Sequence, residues 1–193
     1  MINYTEERLE LFNYFLESIV HHFNFLEKMH YKHCALDDGH ILYSSPDVDV
    51  DIYYERISFE MYLVVTLRKL DISCTIDDIL EFNGDLKSKR QYKAVTKREI
   101  IEKCVEEMTT ILEKYGMDLL VGDAESFRNI RKKGDEEREN ILLKEKLIEA
   151  EKQAIHAWEN EDYLTVIGVY NTISKYLTAS QKKRLEICIN RTK

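Results

Sequence analysis

Apolar residues first recur along the chain at helical spacing. Between about Asn3 or Tyr4 and Met29, the residues Leu9, Phe12, Leu16, Ile19, Val20, Phe23 and Leu26 form one stripe, widened by Phe15 and Phe25. Asn3, with Glu6 three residues on, has the form of a capping arrangement. The period then drops to two. HCALDDGHILYSSP carries a strand signal on each side of Asp38-Gly39, a strong hairpin turn. In VDVDIYY, Val48, Val50, Ile52 and Tyr54 face one way and the aspartates the other. ISFEMYLVVTLRKL supplies Phe59, Met61 or Tyr62, Val64 and Val65. Connections this short exclude crossovers. The spacing therefore predicts an α+β fold: an N-terminal helix packed on a small antiparallel meander sheet of three or four strands, followed by a helical C-terminal half.

The next segments return to helical patterning. Thr75 with Asp78 heads a short helix whose apolar side is Ile76, Ile79, Leu80 and Phe82, stopped by Asn83-Gly84. DLKSKRQYKAVTKR is basic and aperiodic, and reads as a connection with a short strand around Tyr92–Val95. The composition changes there, which divides the chain into an α+β domain over residues 1–92 and a helical domain or extension over 93–193. Thr96 with Glu99 predicts a capped helix carrying Ile100, Ile101, Cys104, Val105, Met108, Ile111, Leu112 and Tyr115 up to Gly116. Further helices are expected over residues 124–132, 135–159, 163–177 and 180–190, the last capped by Thr178 with Gln181. AIHAWENEDYLTVIGVYNTISKYLTASQKKRLEI resembles a single tetratricopeptide-type helix pair. It lacks that family's repetition, so a packed helical hairpin is expected.

Composition narrows the class. The 193 residues are 44% hydrophobic and 33% charged, with one proline and six glycines, as in a globular protein built from long elements. Net charge is −8 but uneven: residues 1–83 carry 16 acidic and 6 basic side chains, and the remainder is slightly basic. The acidic half repels nucleic acid and anionic membrane and attracts a basic protein partner. The longest apolar run, near MYLVV, is too short to cross a bilayer. Cys34, Cys74, Cys104 and Cys188 have no metal-ligand spacing and read as reduced thiols. MINYTEERLELF lacks the basic-then-apolar form of an export leader. A cytoplasmic protein is expected.

The alternating Asp47, Asp49 and Asp51 are the most conspicuous candidate chemistry. VDVDI has the local form that nucleotidyl-transfer enzymes use to hold a divalent metal. Such a site also needs a Gly-Ser pair at a helix N-terminus to hold phosphates; here Gly39 precedes His40 inside a strand signal. A calcium loop fails as well. Counting from Asp47, Ile52 takes the sixth position and Ser58 the twelfth; counting from Asp49, Tyr53 and Tyr54 take the fifth and sixth. His30, His33 and Cys34 lie close in sequence but have no further ligand at zinc-site spacing. No P-loop or nucleophile motif occurs. No catalytic residue, metal or cofactor is therefore expected. Tyr43, Tyr53, Tyr54 and Tyr62 stand among the acids, and rigid rings with polar tips suit protein interfaces. The same charges also blunt edge-to-edge aggregation. The candidate binding residues are Asp47, Asp49, Asp51, Tyr53 and Glu55.

The order of a first helix, LDDGHILYSSPDVDVDIYYERISFEMYLVV and a helical tail is similar to small bacterial α+β proteins of the immunity-protein type. Some of these are thought to neutralise a toxin made by the same or a neighbouring cell. The resemblance spans residues 12–82, has no diagnostic motif and transfers no residue role. It implies a non-catalytic binding protein that docks a basic toxin by surface complementarity. Two other functions remain compatible with the residues. One is a metal-dependent nucleotidyl- or phosphoryl-transfer enzyme using Asp47, Asp49 and Asp51; the other is a helical scaffold or regulator acting through the C-terminal hairpin.

Overall fold

The computed structural model describes residues 6–37, 39–55, 57–85 and 95–193. The expected Asn3 cap, Asp38 of the hairpin turn and the basic connection from Lys87 to Ala94 lie outside the described residues. Helix α1 (Glu6–His22) is followed, after a break at Phe23, by α2 (Asn24–Lys28). Phe12, Phe15, Ile19, Phe23 and Leu26 are fully buried, at steps of three and four that keep them on one helical face. Phe15 belongs to the centre of that stripe. Leu9 and Val20, expected in it, are 40% and 39% exposed.

Five strands follow: β1 (Lys32–Asp37), β2 (His40–Ser44), β3 (Val48–Tyr54), β4 (Met61–Leu67) and β5 (Ile72–Thr75). They form one antiparallel sheet in chain order, so the strand count is five where the sequence predicts three or four. The extra strand is β5. A 3-10 turn over Arg68–Leu70 ends at Asp71, whose φ of 52° is left-handed and reverses the chain. The strand it launches has four residues and one buried side chain, Cys74, too few for a visible alternation. In β3 the alternation is complete. Val48, Val50, Ile52 and Tyr54 are buried and stand opposite Leu67, Val65, Leu63 and Met61 of β4.

The buried face joins one core with α1, α3 (Ile76–Phe82), α4 (Arg98–Tyr115) and α5 (Met117–Leu120). Thr75 and Asp78 form the expected capping box of α3. Thr96 caps nothing: α4 begins one residue later than the sequence predicts, and its N-cap, Lys97, makes no side-chain bond. Two buried hydroxyls tie loops to the core. Tyr31 donates to the carbonyl of Leu120 at 2.6 Å, and Tyr54 donates to that of Val95.

Helix α6 (Ala124–Glu159) runs unbroken for 36 residues. Two helices, over 124–132 and 135–159, are what the sequence predicts. An interior glycine costs a helix only about 1 kcal/mol relative to alanine, and Gly134 is crossed without interruption. The chain divides into two compact units, Met1–Gly134 and Asp135–Lys193. Helix α4, which follows the composition change near residue 92, belongs to the first. In the second, the end of α6 packs with α7 (Tyr163–Thr172) and α8 (Ala179–Arg191) around Ala150, Ala154, Ala157, Val166, Tyr170 and Cys188. Thr178 with Gln181 caps α8 as expected. Among the described residues, no helix is long and apolar enough to cross a membrane.

Candidate binding face

The alternation that buries one side of β2, β3 and β4 turns a second set of side chains outward. Cross-strand register sets His40 opposite Tyr53, Leu42 opposite Asp51 and Ser44 opposite Asp49. On the other side of β3, Tyr53 faces Tyr62, Asp51 faces Val64 and Asp49 faces Thr66. The rings of Tyr53 and Tyr62 stack, with centroids 5.0 Å apart and planes at 24°, and His40 meets Tyr53 edge-on at 5.8 Å. Tyr62 is 37% exposed and donates its hydroxyl hydrogen bond to Glu60.

The carboxylates are less free than their sequence suggests. Asp49 accepts from Ser44 Oγ at 2.6 Å and from the Arg68 guanidinium at 2.7 Å. Arg68 also donates to the carbonyls of Ser45 and Pro46, which clamps the β2–β3 connection. Asp51 lies 3.0 Å from His40 Nε2. Asp47 sits in the bend before β3, exposed, with its carbonyl accepting from the Arg68 amide. Glu55 follows the strand, and its amide donates to the carbonyl of Glu60. The structure thus gathers Asp49, Asp51 and Tyr53 on one strand face and leaves Asp47 and Glu55 at its two ends.

A negative field reaches the phenols. The hydrogen bond to Glu60 pushes the Tyr62 phenol up to about 12, helped by burial and by the charges of Glu60 and Glu55. Tyr53 is raised by burial first and then by Asp51 and Glu55. Both stay protonated at neutral pH, as neutral rings with a donor at the tip.

His40 and Arg68 join this face although sequence reasoning did not assign them to it, whereas Tyr62 was grouped with its acids from sequence; Tyr43 and Tyr54, grouped with them too, are buried on the opposite side of the sheet. The available signal for His40 was register, since it is the direct cross-strand neighbour of Tyr53. The histidine group does not converge. His33 pairs with Glu27 at 2.8 Å, and His30 takes a left-handed φ of 66° after α2. Among the described residues, no three His, Cys, Asp or Glu side chains are grouped so as to hold a metal. No family model, curated protein or solved structure matches the chain.

Proposed function

We propose that the chain is a non-catalytic binding protein that docks a basic protein partner on the outer face of β2, β3 and β4. Its action is steric and electrostatic, the mode implied by the resemblance of its helix, strand segment and helical tail to proteins of the immunity type. The supporting observation is the partly exposed Tyr53–Tyr62 stack, with Asp51, Glu55 and Glu60 around it. A stacked aromatic pair with carboxylates at its edge suits a guanidinium or ammonium group, by cation–π contact and charge together. Tyr53, Tyr62, Asp47 and Glu55 provide the contacts. Asp49 and Asp51, held by Arg68 and His40, keep the face in shape. The excess of acid over residues 1–83 steers a cationic partner and repels nucleic acid from this half. The free thiols of Cys34, Cys74 and Cys188 support a reducing, cytoplasmic setting.

The product of the neighbouring gene is the partner to test first. A basic protein encoded there is expected to form a stoichiometric complex by calorimetry. Tyr53→Ala with Tyr62→Ala should weaken it at least about tenfold, with the fold retained by circular dichroism. Binding that is indifferent to both tyrosines and to Glu55→Lys rejects this face. Stoichiometric magnesium or manganese binding that disappears in Asp49→Asn would point to phosphoryl transfer instead.

A further inference from the structure

From Asp135 to Glu149, every residue of α6 is exposed except Leu143 and Leu147, which are half-buried. Ile141, Ile148 and Ile155 recur there at intervals of seven, and all three are exposed, Ile148 at 58%. Seven-residue steps drift by only about 20° around a helix, so the three side chains form one row. The row points away from the core of its own unit. Buried Ala157 lies nine residues beyond Ile148, about two and a half turns on, and therefore on the opposite side of the helix. Beside the isoleucines runs a row of charges, Arg138, Glu145, Lys152 and Glu159, also seven apart and all exposed. Each stands three or four residues from an isoleucine and shares its face. Glu145 and Lys152 are separated by about 10.5 Å of helix rise, too far to satisfy each other. Arg138 bridges Asp135 on its own helix at 2.9 Å, and a guanidinium has donors for a second carboxylate.

The signs along the charged row alternate: positive, negative, positive, negative. Read backwards, that series is its own complement. We infer that a second copy of this chain docks here, with α6 antiparallel to its counterpart across a two-fold axis at Ile148. Ile148 meets Ile148 and Ile141 meets Ile155. The charges then pair as Arg138 with Glu159 and Glu145 with Lys152, each combination occurring twice across the axis. A parallel arrangement in register would set like against like at all four positions. A partner bearing one sign of charge would satisfy only half of the row, whereas the reversed copy satisfies all of it. The net charge of −8 on each copy opposes the union, so the dimer is a weak one. The pairing uses no residue of the sheet face, and it stands or falls separately from the docking proposed there.

Sedimentation of the purified chain from about 1 to about 500 μM, at about 0.15 M salt, is expected to show a monomer–dimer equilibrium. Ile148 is exposed in the single chain, so Ile148→Glu keeps the fold, checked by circular dichroism, and weakens the dimer at least about tenfold. Glu145→Lys sets two lysines against each other at two places and also weakens association, although it lowers the net charge that keeps copies apart. Lys152→Glu does the same with two glutamates. The double variant, Glu145→Lys with Lys152→Glu, exchanges the signs and restores the wild-type affinity. A chain that stays monomeric throughout, a dimer untouched by Ile148→Glu, or single charge variants that the double variant does not rescue overturns the inference.

Discussion

The two compact units bury their surfaces with opposite kinds of side chain. In the first, large rings fill the space between helix and sheet: Phe12 meets Tyr54 edge-on at 5.3 Å, and Phe15 lies 5.5 Å from the same ring. In the second, Ala150, Ala154 and Ala157 line α6 where it packs with its neighbours, and Tyr170 is the only fully buried ring. Beside Tyr170 lies a polar quartet. The Glu151 carboxylate accepts from Tyr170 at 3.1 Å, Gln181 at 2.6 Å and Arg184 at 3.0 Å, and Arg184 also donates to the Tyr170 hydroxyl at 2.6 Å. A core of rings fails by deletion. A core of alanines fails by insertion, and a polar quartet fails when one member is taken away.

The sharpest test of that contrast is Phe15→Ala, expected to cost about 3–5 kcal/mol in urea unfolding followed by circular dichroism. A loss below about 1 kcal/mol would mean the ring core tolerates a void, against the comparison. Next comes Ala154→Leu, at a fully buried position where the added atoms must displace packed neighbours. We expect about 1–3 kcal/mol, read through Trp158, the single tryptophan, which packs in the second unit. Glu151→Ala should cost about 1.5 kcal/mol in the same assay by stranding Arg184 and Gln181, and Arg184→Met added to it should recover part of the loss.

The smallest effect depends on pH and belongs to the first unit. Glu102 of α4 gathers three side chains from α1: Tyr14 at 3.0 Å, Ser18 at 2.8 Å and His22 at 2.7 Å. The bond from His22, then that from Ser18, holds its carboxyl below the usual range. A lowered pKa in the folded state contributes stability above the ordinary glutamate range, and that contribution is lost as pH falls through the lowered value. The stability gap between wild type and Glu102→Gln should therefore be widest near neutrality and close in acid, measured as urea midpoints at about pH 7 and about pH 3. A gap that is constant with pH would show the carboxylate charge is irrelevant there.

What could be read from sequence follows from how local each cause is. The alternation from Val48 to Tyr54 was legible because a sheet buried on one face obliges every second residue to be apolar. Two capping boxes, Thr75 with Asp78 and Thr178 with Gln181, were legible because their bonds close within four residues. Strand β5 was not, since a single buried cysteine has no period. The passage of α6 through Gly134 was hidden because propensity, which a glycine lowers, is outweighed by the rest of a long helix. On the candidate face, the shared direction of Asp49, Asp51 and Tyr53 was visible. Their partners were not: Arg68 lies 19 residues from Asp49, His40 lies 11 from Asp51, and only strand register unites them.

Tyr43 of β2 has a quieter consequence. It is wholly buried against Phe23 and His33, and its hydroxyl has no hydrogen-bond partner among the described residues; burial drives its phenol well above the ordinary tyrosine range. Folding buries that oxygen without giving it a hydrogen bond from any described residue. Phenylalanine has the same outline without the oxygen, so Tyr43→Phe should leave the native fold intact and raise its melting temperature. The resting molecule therefore holds back some of the ruggedness its own packing allows, and one atom is the reason.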